Sequence, residues 1–292
     1  MSIVSFQNFF AIDHRVEVRI NVTNVCNLHC DFCDHDAHLP FDRHGTRVFR
    51  RAPIVADIDA ITDFCRAMVG VGERDAHVLQ GGEITALPIR TVVEYIDVLH
   101  SFGRRVGMRS NGYRLASIPL DSLNRLDFIY LNAHGNNQSA IEHCQKFLSQ
   151  HYRGRVILEE SFFHRNPADF LHHGLGTPSQ GMNCSHMMST LTVMPPVVHP
   201  CCNSWALMNA LNASEMKESL LASGWTCDNP DLRSTLARWR DTLPPPFLES
   251  FCADSCYRTA PALSPPWTRI QPHPLDKVLK MGKREDSSNA KP

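Results

Sequence analysis

The chain has 292 residues, enough for one large domain or two modest ones with a core that needs no disulfide staples. Lys plus Arg (29) nearly balances Asp plus Glu (30), and the net charge of −1 gives no electrostatic footing for nucleic acid or an anionic membrane surface. No apolar run approaches the ~18 residues that span a bilayer, and the opening MSIVSFQNFFAIDHR lacks the basic start of a signal peptide, so a cytoplasmic protein is expected.

Alternation in VEVRINV (16–22) predicts a first strand, and AHVLQ (76–80), RVGMR (105–109), DFIYL (127–131) and RVILEE (155–160) predict four more. Between them, Ile58, Ile61, Phe64, Cys65 and Met68 mark one helix face that Asp57 can cap. Val92, Val93, Ile96 and Leu99 mark a second helix closed by Gly103. Ile141, Cys144, Phe147 and Leu148 mark a third, with Ser139 near its start. Strands alternating with helices predict a parallel α/β sheet, barrel-like or doubly wound. After residue 164 this period is lost. Gly, Pro, His and Met crowd 166–200, and Leu232, Leu236, Trp239 and Leu243 form a helix stripe ended by Pro244–Pro246. The tail from Ser264 is rich in proline and then in charge, and is expected to be disordered.

Eleven cysteines fall largely in two clusters in a chain with no export signal, which reads as metal ligation or redox chemistry rather than disulfides. Cys26, Cys30 and Cys33 lie in VCNLHCDFC, directly after the first strand. Three thiolates so spaced can hold three irons of a four-iron cluster and leave the fourth open, as a catalytic site requires. The competing reading is zinc, with a fourth ligand from elsewhere. Cys65 and Cys144 lie on apolar helix faces and read as core residues.

This C-x3-C-x2-C run, with Phe32 before its last cysteine, resembles the signature of the radical S-adenosylmethionine (SAM) enzymes. Gly81-Gly82-Glu83, ending the second strand, is similar to the GGE motif at the SAM amino group. Ser110-Asn111-Gly112, after the third, is similar to the turn near the SAM ribose. Asn132 and Glu160, at the ends of strands four and five, sit where the family places polar contacts to SAM. All follow or end different strands, on the face where parallel barrels carry their working residues. The resemblance implies a partial (β/α) TIM-like barrel, a 4Fe-4S cluster on Cys26, Cys30 and Cys33, and SAM as cofactor. His134, in the loop after Asn132, is a candidate for touching substrate.

The stretch CSHMMSTLTVMPPVVHPCC resembles the hairpin that opens the twitch and SPASM extensions of that family. By resemblance, Cys184, Cys201 or Cys202, Cys252 and Cys256 hold a second, auxiliary 4Fe-4S cluster, with Cys227 as an alternative ligand. A four-thiolate zinc site is the competing reading. The expected layout is a radical SAM barrel over 1–175, a small cysteine-rich auxiliary-cluster domain over 176–262 and a disordered tail over 263–292, as in the amino-cyclitol dehydrogenase of the butirosin pathway. The resemblance implies SAM cleavage, hydrogen abstraction from a small polar metabolite and its two-electron oxidation, with a flavodoxin or ferredoxin as reductant. A ribosomal-peptide maturase is the enzyme alternative. The 25 residues before Cys26 are too few for a leader-recognition domain there, so a peptide substrate is the less expected one. A non-catalytic zinc scaffold is the alternative of another class.

Overall fold

A computed structural model of the chain describes residues 17–28, 54–70, 75–133, 137–160, 190–199, 204, 224–237 and 277–280, with the backbone alone at 160, 236–237 and 277–280. Five strands fall where alternation puts them: β1 (Glu17–Thr23), β2 (Ala76–Gly81), β3 (Arg105–Ser110), β4 (Phe128–Ala133) and β5 (Arg155–Glu160). Each pairs in parallel with the next. Helices α1 (Ile58–Ala67), α2 (Ile89–Ser101), α3 (Leu120–Leu123) and α4 (Gln138–His151) lie in the crossovers. The Asp57 carboxylate accepts the Asp59 N–H at 3.0 Å and starts α1. Gly103, at φ +64°, donates its N–H to His100 C=O and closes α2, which a residue with a Cβ would do under strain.

The two sheet faces differ sharply. Val18, Ile20, Val22, Leu79, Val106, Met108, Ile129, Leu131, Val156 and Leu158 point to the helices, and meet Ile61, Phe64, Ile96, Leu99, Ile141 and Leu148 in one core. Fully burying each such side chain contributes about 1.5–3 kcal/mol. The opposite face carries Glu17, Arg19, Asn21, Gln80, Arg109, Tyr130, Asn132 and Glu159, over a small apolar floor of Ala76, Val78, Phe128 and Ile157. The sheet curves around this polar face. On a flat sheet β1 and β5 would stand ~19 Å apart, yet Arg109 of β3 reaches Glu17 of β1 at 3.1 Å and Glu159 of β5 at 2.6 Å. The polar face is thus the concave interior of a partial barrel, with the helices outside.

The second edge of β1 takes β6 (Thr190–Met194), again in parallel. β6 turns through Pro195-Pro196 into β7 (Val197–His199), and β8 (Trp225–Thr226) follows antiparallel. The hairpin read from the sequence forms, and its first strand continues the barrel sheet: Leu191 and Val193 join the main core. Past β8, helix α5 (Leu232–Ala237) buries Leu232, while Trp239 and Leu243 of the same stripe lie outside the described residues. The tail expected to be disordered supplies β9 (Lys277–Lys280), antiparallel to β5. The physical reason is the edge itself, since β5 would otherwise leave a row of backbone donors and acceptors unpaired. Among the described residues no helix is long and apolar enough to cross a membrane.

One core residue conflicts with its surroundings. His77 of β2 is fully buried on the helix side beside Phe64, and neither ring nitrogen has a hydrogen-bond partner among the described residues. Burial, and then Arg104, push its imidazole down to about 3, so it stays neutral in the fold. Below pH ~6.5 the unfolded chain binds a proton there that the folded chain refuses, and stability falls with pH by up to ~1.4 kcal/mol per unit. His77→Leu is therefore expected to match or exceed wild-type stability at pH 7 and to gain a further ~2 kcal/mol relative to it at pH 5. Urea unfolding at the two pH values measures this, and an equal loss in both proteins on acidification would refute it.

Candidate functional site

The C-terminal ends of β1 to β4 are tied into one rim by short polar bonds. Beyond β1, Thr23 Oγ1 donates to Ile54 C=O at 2.7 Å and accepts the Val25 N–H at 3.0 Å, while Asn24 Oδ1 accepts the Ile54 N–H at 2.8 Å. This fixes the loop that delivers Cys26. The end of β2 runs alongside: Gly82 N–H donates to Thr23 C=O and Glu83 N–H to Val25 C=O, both at 2.7 Å. Backbones this close leave no room for side chains. A Cβ on Gly81, at φ +148°, would stand 2.2 Å from Thr23 O, and one on Gly82 2.2 Å from Val25 O. Gly82→Ala is expected to push the Cys26 loop aside, lowering iron retention and weakening SAM binding by about ten-fold or more. Iron analysis and equilibrium dialysis with SAM check it, and wild-type values in both would refute it.

Glu83 is the hub of the rim. Its carboxylate is fully buried; Oε1 accepts from Thr85 N–H at 3.0 Å, Thr85 Oγ1 at 2.6 Å and Ser110 Oγ at 2.9 Å, and Oε2 accepts from Asn111 N–H at 2.6 Å. Burial pushes its pKa up, against the pull of these four bonds. Asn111 then reaches back to β1, where its amide donates to Asn27 Oδ1 at 2.9 Å and approaches Cys26 Sγ at 3.9 Å. Leu28 N–H donates to the same sulfur at 3.4 Å. On the other side the Asn137 amide donates to Asn111 C=O and Asn132 C=O, both at 2.9 Å.

The structure thus brings Cys26, Gly81, Gly82, Glu83, Ser110, Asn111 and Asn132 to one rim. Cys30, Cys33, Phe32 and His134 lie outside the described residues, as do Cys184, Cys201, Cys202, Cys252 and Cys256. Glu160 ends β5, its backbone in register with Ala133. Cys65, Cys144 and Cys227 are buried in the main core, and burial pushes each thiol up to about 12, so they stay protonated at neutral pH. Sequence reasoning missed Thr85, Asn27 and Asn137, which hold the rim. It also missed the charged line Arg19–Glu17–Arg109–Glu159 on the barrel's inner face. Their signal is the alternation itself: Glu17, Arg19 and Asn21 share one face of β1, a pattern that in an open strand marks solvent.

Residues 20–157 match the family described as the Radical SAM superfamily. This stretch is a radical SAM domain. No curated protein sequence matches the chain. Among solved structures, BtrN in complex with AdoMet and 2-DOIA superposes with a TM-score of 0.53 at 10% identity, over 82% of this chain and 92% of that one. SuiB of Streptococcus suis, bound to its precursor peptide SuiA, gives 0.45 at 11% identity over 84% and 72%. At 10% identity the likeness to BtrN is one of fold, and it carries the partial-barrel architecture beyond the 20–157 match.

The residues of this radical SAM domain fit the groups its family uses. Cys26 presents a sulfur already supplied with two N–H donors at the rim, the environment a cluster-bound thiolate needs. The Gly81–Gly82 backbone lies flush against the β1 loop with no side chain in the way. Asn132 Oδ1 is buried without a hydrogen-bond partner among the described residues, an acceptor left for a ligand to satisfy.

Proposed function

We propose that the chain cleaves SAM reductively and uses the resulting radical to oxidise a small polar metabolite by two electrons. The observation that carries this reading is the single bonded rim joining Cys26, Gly82, Glu83, Asn111 and Asn132 at the C-terminal ends of four strands. When bound, a reduced 4Fe-4S cluster supplies one electron to SAM, releasing methionine and a 5′-deoxyadenosyl group that takes a hydrogen atom from substrate. The chain's own part is placement. Cys26, with Cys30 and Cys33, would hold the cluster and leave it open to SAM. The Gly81–Gly82 backbone lets SAM approach closely, while Glu83 acts behind it by keeping Asn111 against Cys26. Asn132 and Glu160 are proposed to offer polar contacts to SAM.

Loss of a hydrogen atom, then of one proton and one electron, oxidises the substrate by two electrons overall. Cys184, Cys201 or Cys202, Cys252 and Cys256 are proposed as ligands of an auxiliary cluster over 176–262 that accepts this electron. A flavodoxin or ferredoxin in the cytoplasm is the proposed reductant. Support comes from the concave, polar barrel interior, which suits a hydroxylated or amino-bearing substrate, and from the fold shared with BtrN. The test is product stoichiometry. One 5′-deoxyadenosine should form per molecule of a product lighter by two hydrogens. A redox-neutral product with SAM used catalytically overturns the oxidative reading.

A further inference from the structure

We propose that Glu159 anchors the substrate by accepting a protonated amine, beside the SAM site; this rests on the radical SAM reading. Four charged side chains form a line across the inner face of the barrel, with signs alternating. Arg19 Nε donates to Glu17, Arg109 Nη2 donates to both Glu17 oxygens at 3.1 and 3.3 Å, and Arg109 Nη1 donates to Glu159 Oε2 at 2.6 Å. Arg109 also stacks on the Tyr130 ring, 4.3 Å from its centroid. Stability does not explain this line, because an apolar interior of similar volume is often equally or more stable than buried ion pairs.

Among the described residues the line runs from Arg19 to Glu159. Glu17 sits between two guanidinium groups and is 4% exposed, and Arg109 is 13% exposed between two carboxylates. Glu159 ends the line among the described residues, 30% exposed and paired there with one guanidinium that it shares with Glu17. Its Oε2 is taken by Arg109, and its Oε1 has no hydrogen-bond partner among the described residues. A second cation on that oxygen would complete the alternation.

Position points the same way. Glu159 pairs in register with Asn132 at the C-terminal end of the sheet, on strands ~4.8 Å apart, so the two side chains are neighbours on the inner face. The open atom there, Glu159 Oε1, is an acceptor, and the ligand must bring the donor. An ammonium group brings three donors and a positive charge. A substrate held by Glu159 lies next to the SAM-facing rim, where hydrogen abstraction needs it.

The experiment uses the full chain, reconstituted anaerobically with iron and sulfide and saturated with SAM. Calorimetry compares two matched probe pairs, scyllo-inosamine with scyllo-inositol and glucosamine with glucose, on wild type, Glu159→Gln and Glu159→Asp. Wild type should bind at least one amine about ten-fold or more tighter than its hydroxyl partner, Glu159→Gln should erase the preference, and Glu159→Asp should keep part of it. Iron content and SAM affinity should be the same in all three. Binding of neither amine, equal affinity within both pairs, or a preference that survives in Glu159→Gln overturns the proposal. A Glu159→Gln defect confined to SAM affinity also overturns it, by assigning the carboxylate to the cofactor. Wild type that holds no iron and binds no SAM overturns the radical SAM reading instead, a result separate from any of these.

Discussion

Replacing Cys26, Cys30 and Cys33 together by alanine is expected to remove about four irons per reconstituted chain and to abolish SAM cleavage. Cys26 is held at the end of β1 by the bonds from Thr23 and Asn24 to Ile54, and its sulfur already has Leu28 N–H and the Asn111 amide around it. Without the three thiolates the loop after β1 has no soft ligand, and Cys65, Cys144 and Cys227 are side chains of the main core. Iron and acid-labile sulfide, measured on wild type and the triple variant, give the result. A fall from about eight irons to about four supports a second cluster on the later cysteines. A fall from about four to none leaves the first cluster alone, and takes away the proposed electron acceptor. An unchanged iron content would contradict the assignment of these three residues.

Glu83→Ala is expected to be the most damaging single change at the rim. Removing the carboxylate strands four buried donors: the Thr85 N–H and hydroxyl, the Ser110 hydroxyl and the Asn111 N–H. A buried donor left unmade costs about 1–3 kcal/mol, and partial rearrangement of the two hydroxyls brings the expected loss to about 3–5 kcal/mol. Asn111 is then free of β2 and loses its hold on Asn27 and Cys26, so SAM cleavage should fall by at least about a hundred-fold even in the fraction that folds. Glu83→Gln keeps one acceptor oxygen but turns an amide toward donors, and is expected to lie between wild type and Glu83→Ala. Urea midpoints and 5′-deoxyadenosine formation read the two effects separately. Wild-type stability in Glu83→Ala would refute the hub role.

Local rules carried much of the architecture. The strand alternation at 16–22, the cap at Asp57 and the closing Gly103 act within a few residues, so a sequence displays them directly. The motifs at Cys26, Gly82 and Asn111 were legible through their resemblance to family signatures, and the structure places them beyond β1, β2 and β3 respectively. What was hidden is nonlocal. Nothing near Thr190 says that β6 will pair with β1, some 170 residues earlier, rather than open a separate unit. The alternation of Glu17, Arg19 and Asn21 fixes which residues share a face, but not that the sheet curls to make that face an interior. Only curvature joins Arg109 to carboxylates on β1 and β5. Glu159 was not singled out, because one residue of register decides which face a side chain takes.

Reductive SAM cleavage at the Cys26 rim is the chemistry on which the other proposed steps depend. It is tested most directly by reducing the anaerobically reconstituted full chain with dithionite in the presence of SAM and separating the products by chromatography. Methionine and 5′-deoxyadenosine in equal amounts, absent from the Cys26/Cys30/Cys33→Ala variant, are the predicted result. Intact SAM after reduction of an iron-loaded wild-type protein would contradict it.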